Sequence, residues 1–244
     1  MKIAFIMPTP FSLGGEQRVV TVVCNILTDL GYEVSIICTD SKVKENRNMY
    51  KLNEKVNILF TENKITFFGK IRRKLRKSLL LINRNYGILK KCLFMLKFIN
   101  TNNELEREII EINAKYNFDV LIGVADRYSI LLSNISGKIK AKTIGWQHSC
   151  YQSYFATKGM HFYNEEKLVK YMFRNLDNYI VLSNLDREKI ENKFNFQCKT
   201  IYNPKSFELT NTSNLQNKVF LAVGRLEVVK GFDMLIEAYK IYKI

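Results

Sequence analysis

Apolar residues along this chain follow two alternating rhythms. Short, largely apolar runs at 2–7, 33–38, 56–60, 119–123, 142–146, 179–182 and 218–223 have the length of strands, those at 2–7 and 218–223 reading as buried. Between them the spacing becomes helical. Val19, Val22, Val23, Ile26, Leu27 and Leu30 form one stripe, with Gly31 where a helix C-cap belongs. Thr101 and Glu104 match a capping box, and Leu105, Ile109, Ile112 and Tyr116 make one apolar face behind them. Residues 184–194 and 231–244 read as helices, and the stretch between 64 and 97 is mostly helical in pattern. Asn203-Pro204 signals a turn, and residues 205–217, rich in Ser, Thr and Asn, read as a linker. There is no internal repeat and no low-complexity tract.

Strands alternating with helices predict an α/β fold, a parallel sheet covered on both faces. In such folds ligands bind beyond the C-terminal ends of the strands, so the loops that follow strands hold the candidate chemistry. The first loop, 8–17, carries Gly14 and Gly15 at the start of a helix. Their small size admits close approach of a ligand to the backbone, and the helix start favours an anion. The pattern is neither a GxGxxG fingerprint nor a P-loop, and on these residues alone a flexible turn before a helix fits as well. The second loop holds Trp146-Gln147-His148. Just past a strand end, His148 suits an acceptor-activating base, a ligand to a sugar hydroxyl, or a hydrogen-bonded structural residue. The third follows the run ending at Val223 and presents Arg225 and Lys230 before a helix. Two cations there can neutralise a diphosphate, or can be an exposed basic loop.

Composition narrows the class. With 244 residues, 47% hydrophobic and 25% charged, the chain can build a core without disulfides. Five scattered cysteines, never paired as CxxC, point to a reducing compartment. Lys2 followed by a short run ending at Pro8 makes a poor signal peptide, and no stretch has the length of a membrane span. A cytoplasmic protein is expected. Two histidines, His148 and His161, with no HExxH and no Asp-x-Asp, predict no metal site. The net charge of +15 is largely local. Eleven Lys and Arg lie between Glu62 and Glu104 with no acidic residue among them. Interleaved with Ile71, Leu75, Leu79, Leu80, Leu81, Leu93, Phe94 and Phe98, the stretch 64–97 suits an anionic membrane surface. A solvated helix pair packed by its apolar side is the alternative; no nucleic-acid-binding fold accompanies the charge, and no nucleic-acid partner is expected.

Gly224-Arg225-Leu226 through Lys230-Gly231-Phe232-Asp233, followed by Leu235, Ile236 and Ala238, resembles the donor-site motif of retaining family-4 glycosyltransferases. Gly14-Gly15, Trp146-Gln147-His148, Val181-Leu182-Ser183 and Asn203-Pro204 agree with that family in order. The resemblance implies a GT-B fold. An N-terminal Rossmann-like domain (1–204) on the acceptor side would be joined by the linker 205–217 to the start of a donor-binding domain (218–244). It implies that Arg225 and Lys230 hold the diphosphate of a nucleotide sugar, that Gly14 and Gly15 approach those phosphates from the other domain, and that His148 lies near the reacting sugar. It also implies transfer with retention to a glycan or lipid-linked acceptor, without metal or other cofactor, by a protein at the inner face of the membrane.

Two departures bear on this. Relatives commonly read Gly-Gly-x-Glu-Arg, whereas here Glu16-Gln17-Arg18 follows, placing glutamine at the family's carboxylate position. The Glu-x7-Glu segment that follows the donor motif in the family is missing between Lys230 and Ile244, so the chain reads as a fragment whose transfer activity alone is expected to be negligible. The helix after Gly231 would then leave Leu235, Ile236 and Tyr239 exposed. The alternative function is a non-catalytic remnant that binds an acceptor, a membrane or a partner enzyme. A non-hydrolysing nucleotide-sugar epimerase would share the fold.

Overall fold

The computed structural model describes residues 1–62, 67–205, 207, 216 and 219–242. The chain divides into two compact units, Met1–Ser206 and Phe207–Ile244. The first is built on seven parallel strands: β1 (Lys2–Met7), β2 (Glu33–Cys38), β3 (Asn57–Phe60), β4 (Val120–Val124), β5 (Lys142–Trp146), β6 (Asn178–Val181) and β7 (Lys199–Thr200). Their order in the sheet is β3-β2-β1-β4-β5-β6-β7. All the pairings are parallel, with Ile3 beside both Val34 and Val120. The order reverses between β1 and β4, and a crevice therefore opens at the C-terminal ends of those two strands.

Alternation along β1 sorts the core. Ile3, Phe5 and Met7 join Val20 and Cys24 of α1 (Gly15–Asp29) on one face. Ala4 and Ile6 face the other layer, which includes α4 (Asn103–Tyr116), α5 (Ala125–Ile135), α6 (Glu166–Met172) and α7 (Asn184–Phe194). Helix α5 lies very close to the sheet. A Cβ on Gly123 would come within 2.5 Å of the Tyr128 carbonyl oxygen, and one on Gly145 within 2.8 Å of Ser129 Oγ, both on α5. Only glycine admits that approach.

The end of α1 follows the sequence expectation. Gly31, at φ +86°, donates its N–H to Thr28, and Tyr32 donates to Leu27, which satisfies two orphan carbonyls. The capping box at Thr101 does not form. Thr101 is the C-cap of α3 (Leu93–Asn100), and α4 starts one residue later behind Asn102, whose N–H donates to Glu106 at 3.3 Å. Thr101 is spent ending the preceding helix and cannot open the next.

The basic stretch forms α2 (Phe67–Tyr86) and α3; Lys64 lies outside the described residues. Their inner faces reach the core through Leu79, Leu80, Leu93 and Phe98. The C-terminus of α2 is tied down at Asn83 and Arg84, whose carbonyls both accept from the Asn164 side chain. Among the described residues no helix is long and apolar enough to cross a membrane. All five cysteines are free.

In the second unit, α8 (Phe232–Tyr242) stacks Tyr239 and Tyr242 edge-on against Phe220. The strand expected at 218–223 is not found: residues 219–223 form no strand and are exposed, Leu221 by 85%. Among the described residues no strand hydrogen-bonds to this run, and an apolar run without that pairing stays in solvent. Lys218 and most of the predicted linker lie outside the described residues. Leu235, Ile236 and Tyr239 are exposed, as expected for this helix.

Candidate functional site

The loop after β1 reaches α1 through Gly14, whose N–H donates to the Tyr50 hydroxyl at 2.9 Å while that hydroxyl donates back to the Gly14 carbonyl at 3.2 Å. Gly14 is therefore held by Tyr50, and its N–H is already used. Gly15 has open space where a side chain would stand, so a ligand can approach the helix start there.

Across the switch point, the turn out of β4 passes through Ala125 at φ 69°, a left-handed conformation that costs a residue with a side chain about 1–2 kcal/mol. It places Asp126 at the first turn of α5. The Asp126 carboxylate accepts the Arg127 N–H at 2.7 Å, meets His161 Nδ1 at 3.0 Å and lies 3.9 Å from Arg84. Burial opposes its ionisation, but the His161 hydrogen bond and charge, the Arg127 N–H and Arg84 outweigh that and hold the carboxyl below its ordinary range. Glu16, in the first turn of α1, moves the other way: burial first, then the Asp126 charge, raise it, with His161 offsetting part. Two carboxyls on facing elements are thus split into a firm anion and a group that holds its proton more readily, the arrangement acid–base and hydroxyl-binding sites use.

Arg84 continues the network inward. Its Nε donates at 3.1 Å to Glu165, which has no exposed surface and also accepts from Asn100 at 2.8 Å. Burial pushes the Glu165 carboxyl up to about 7 against the pull of Arg84 and Asn100. On the other side His161 stacks on Tyr154, with ring centroids 4.3 Å apart. The Tyr154 hydroxyl faces the His148 N–H at 3.5 Å. His148 lies against Trp146, burial pushes its imidazole down to about 4, and its Nε2 is buried without a hydrogen-bond partner. A neutral imidazole at physiological pH with one nitrogen unsatisfied is suited to a hydroxyl or a proton.

The first unit thus links His148 through Tyr154 and His161 to the crevice that Gly15 and Glu16 border. Arg225 and Lys230 belong to the second unit. There they flank Glu227, whose carboxylate pairs with Arg225 at 2.9 Å and whose carbonyl accepts the Lys230 N–H at 2.9 Å. Gly231, at φ +63°, then turns the chain into α8. Glu16, Arg84, Asp126, His161 and Glu165 were not legible as site residues. Asp126 alone carried a signal, being the acidic residue just past a buried strand; the others meet only through tertiary packing. Among the described residues no group of three or more His, Cys, Asp or Glu could hold a metal ion.

No protein-family model matches the chain. In sequence it is similar to an uncharacterized glycosyltransferase of Haemophilus influenzae, 26% identical over 248 residues, covering 98% of this chain and 58% of the relative. In structure it is similar to a sucrose-phosphate synthase from Thermosynechococcus elongatus, with a TM-score of 0.55 and 15% identity over 82% of this chain and 47% of that one. It is also similar to the lipopolysaccharide outer core galactosyltransferase WaaB in its apo form, with a TM-score of 0.49 and 14% identity over 84% of this chain and 46% of that one. The chain spans 58% of the length of the curated relative it matches. The likeness in structure bears out the α/β fold, a parallel sheet of GT-B type flanked by helices.

Proposed function

We propose that this chain carries the acceptor-side domain, and the first part of the donor-side domain, of a nucleotide-sugar-dependent glycosyltransferase that acts with retention on a glycan or lipid-linked acceptor. The observation that carries this reading is the likeness to a glycosyltransferase across 98% of the chain. Features of each unit, taken separately, support it. In the second unit Arg225 and Lys230 stand on one loop as two cations for the departing diphosphate, whose negative charge grows as the sugar–phosphate bond lengthens. Gly15 leaves backbone approachable at the start of α1. His148, neutral at physiological pH, offers its buried Nε2 to a hydroxyl of the transferred sugar. Asp126, held ionised, and Glu16 stand at the crevice to accept hydrogen bonds from the incoming acceptor, while a phosphate oxygen of the leaving group takes the acceptor's proton.

The same reading places the protein in the cytoplasm, peripheral at the membrane. Helix α2 supports this with Ile71, Leu75, Ile82 and Tyr86, all exposed and spaced along one side of the helix, beside Lys70 and Lys74.

The test is transfer by the product of the complete reading frame. Arg225→Ala and Lys230→Ala should each lower turnover about 10²-fold, the effect of removing one fixed stabiliser of leaving-group charge. Near-normal rates in both variants would show that this loop does not hold the donor.

A further inference from the structure

A cleft of about 1100 Å³ runs from the switch point outward beneath α2. Its inner end is lined by Thr39, Asp126 and Tyr128, next to the crevice described above. Its two long walls are opposite in charge. Arg72, Arg73, Arg76 and Lys77 line it from α2, whereas α4 contributes Glu104, Glu106, Glu108 and Glu111 against Arg107 and Lys115, an acidic excess.

Arg76 is the unusual member. It is 8% exposed, its guanidinium lies 5.1 Å from the Phe98 ring centroid, and its Nε and one terminal nitrogen are buried without a hydrogen-bond partner. Burial first, then the neighbouring Arg72, weaken its hold on the proton, and Glu104 and Glu106 restore part of it. Phe98 supports both Arg72 and Arg76 from below, with Arg72 5.8 Å from the same ring. A guanidinium kept only to pack on Phe98 would be better replaced by an apolar side chain, because its unmet donors carry a desolvation penalty. Held rigid, poorly hydrated and with donors to spare, it is preorganised for a planar, two-point contact with an oxyanion.

We propose that this cleft binds a phosphorylated carbohydrate, its phosphate on Arg76 with Arg72 and Arg73 beside it, and its hydroxyls on the carboxylates of α4. The oxyanion accounts for the unmatched donors of Arg76. The carboxylates across the cleft repel phosphate and accept hydroxyls, so the charge division fixes which end of the ligand lies where. The inner end delivers a sugar hydroxyl to Asp126. The proposal rests on the glycosyltransferase reading in taking this ligand to be the acceptor; the phosphate site itself does not depend on sugar transfer.

The experiment is thermal unfolding of the protein titrated with inorganic pyrophosphate, at low and high salt. The wild type should be stabilised in a salt-sensitive way. Arg76→Met should unfold no more easily than wild type without ligand, and its apparent affinity for pyrophosphate should fall tenfold or more, as expected for a lost charge-assisted pair of hydrogen bonds. Arg76→Lys, which keeps the charge and loses the fork, should fall between. The double variant Arg225→Ala/Lys230→Ala should keep the response, which separates this site from the donor loop and its failure from failure of the transferase reading. Undiminished protection in Arg76→Met or Arg76→Lys, or none in the wild type, would overturn the proposal. Sedimentation with phosphatidylglycerol vesicles distinguishes the source of the phosphate. If the Arg76 variants still bind vesicles, the ligand enters the cleft from solution; if they lose both responses, its phosphate is anchored in the bilayer.

Discussion

Two buried groups pull the pH dependence of stability in opposite directions. The Glu165 carboxyl is pushed from 4.5 up to about 7, so the native state binds its proton more tightly than the unfolded chain does. The stability this gives is full below the ordinary carboxyl range and is lost as pH rises through about 7. The His148 imidazole is pushed from 6.5 down to about 4. Its contribution is full above its ordinary value and is lost as pH falls toward 4. In the window they share, the two offset each other. Glu165→Gln should therefore gain roughly 2–3 kcal/mol relative to wild type between about pH 5 and about pH 8, read from urea unfolding. The variant's own stability should fall on acidification through the window where His148 acts. Parallel wild-type and variant profiles would contradict the burial of an ionisable Glu165. None of this is visible in a sequence, because Glu165 acquires its environment from α2 and α3, through Arg84 and Asn100.

At the scale of elements, legibility followed periodicity. The bounds read at 2–7, 33–38, 142–146 and 184–194 are those of β1, β2, β5 and α7. Helix α5 was missed because it has no polar face to mark it: Tyr128, Ser129, Ile130, Leu131, Leu132, Ser133 and Ile135 are all buried. An element enclosed on all sides loses the stripe that betrays a helix. Residues 218–223 err in the opposite direction, since an apolar run predicts burial only where something is present to cover it. Helix α2 is cationic and apolar at once on both of its sides. Arg72, Arg76 and Arg84 line the cleft with Leu80, while Ile71, Leu75 and Ile82 are exposed beside Lys70 and Lys74. Membrane binding should therefore depend on the outer side. Ile71→Ser/Leu75→Ser/Ile82→Ser should co-sediment far less with anionic vesicles, since each apolar side chain removed from an interface gives up about 1.5–3 kcal/mol. Unchanged co-sedimentation would return α2 to the role of a solvated helix.

At the scale of the whole molecule, a seven-stranded parallel sheet brings loops distant in sequence to one end, and its order reverses where Gly15, Glu16 and Asp126 meet. A strained Ala125 is kept at that point, glycines let α5 approach the sheet, and a half-buried Arg84 ties the basic helix to the same network. In the proposed function this crevice serves the transfer of a sugar from a nucleotide to an acceptor hydroxyl. The most direct measurement follows the product of the complete reading frame with nucleotide sugars and phosphorylated glycan acceptors. It counts nucleoside diphosphate released against sugar incorporated and reads the anomeric configuration of the product by NMR. The expected result is one nucleoside diphosphate per sugar transferred, retained configuration, and a marked loss of rate in His148→Ala. Epimerised nucleotide sugar formed without any acceptor, or no consumption of any nucleotide sugar, would contradict it.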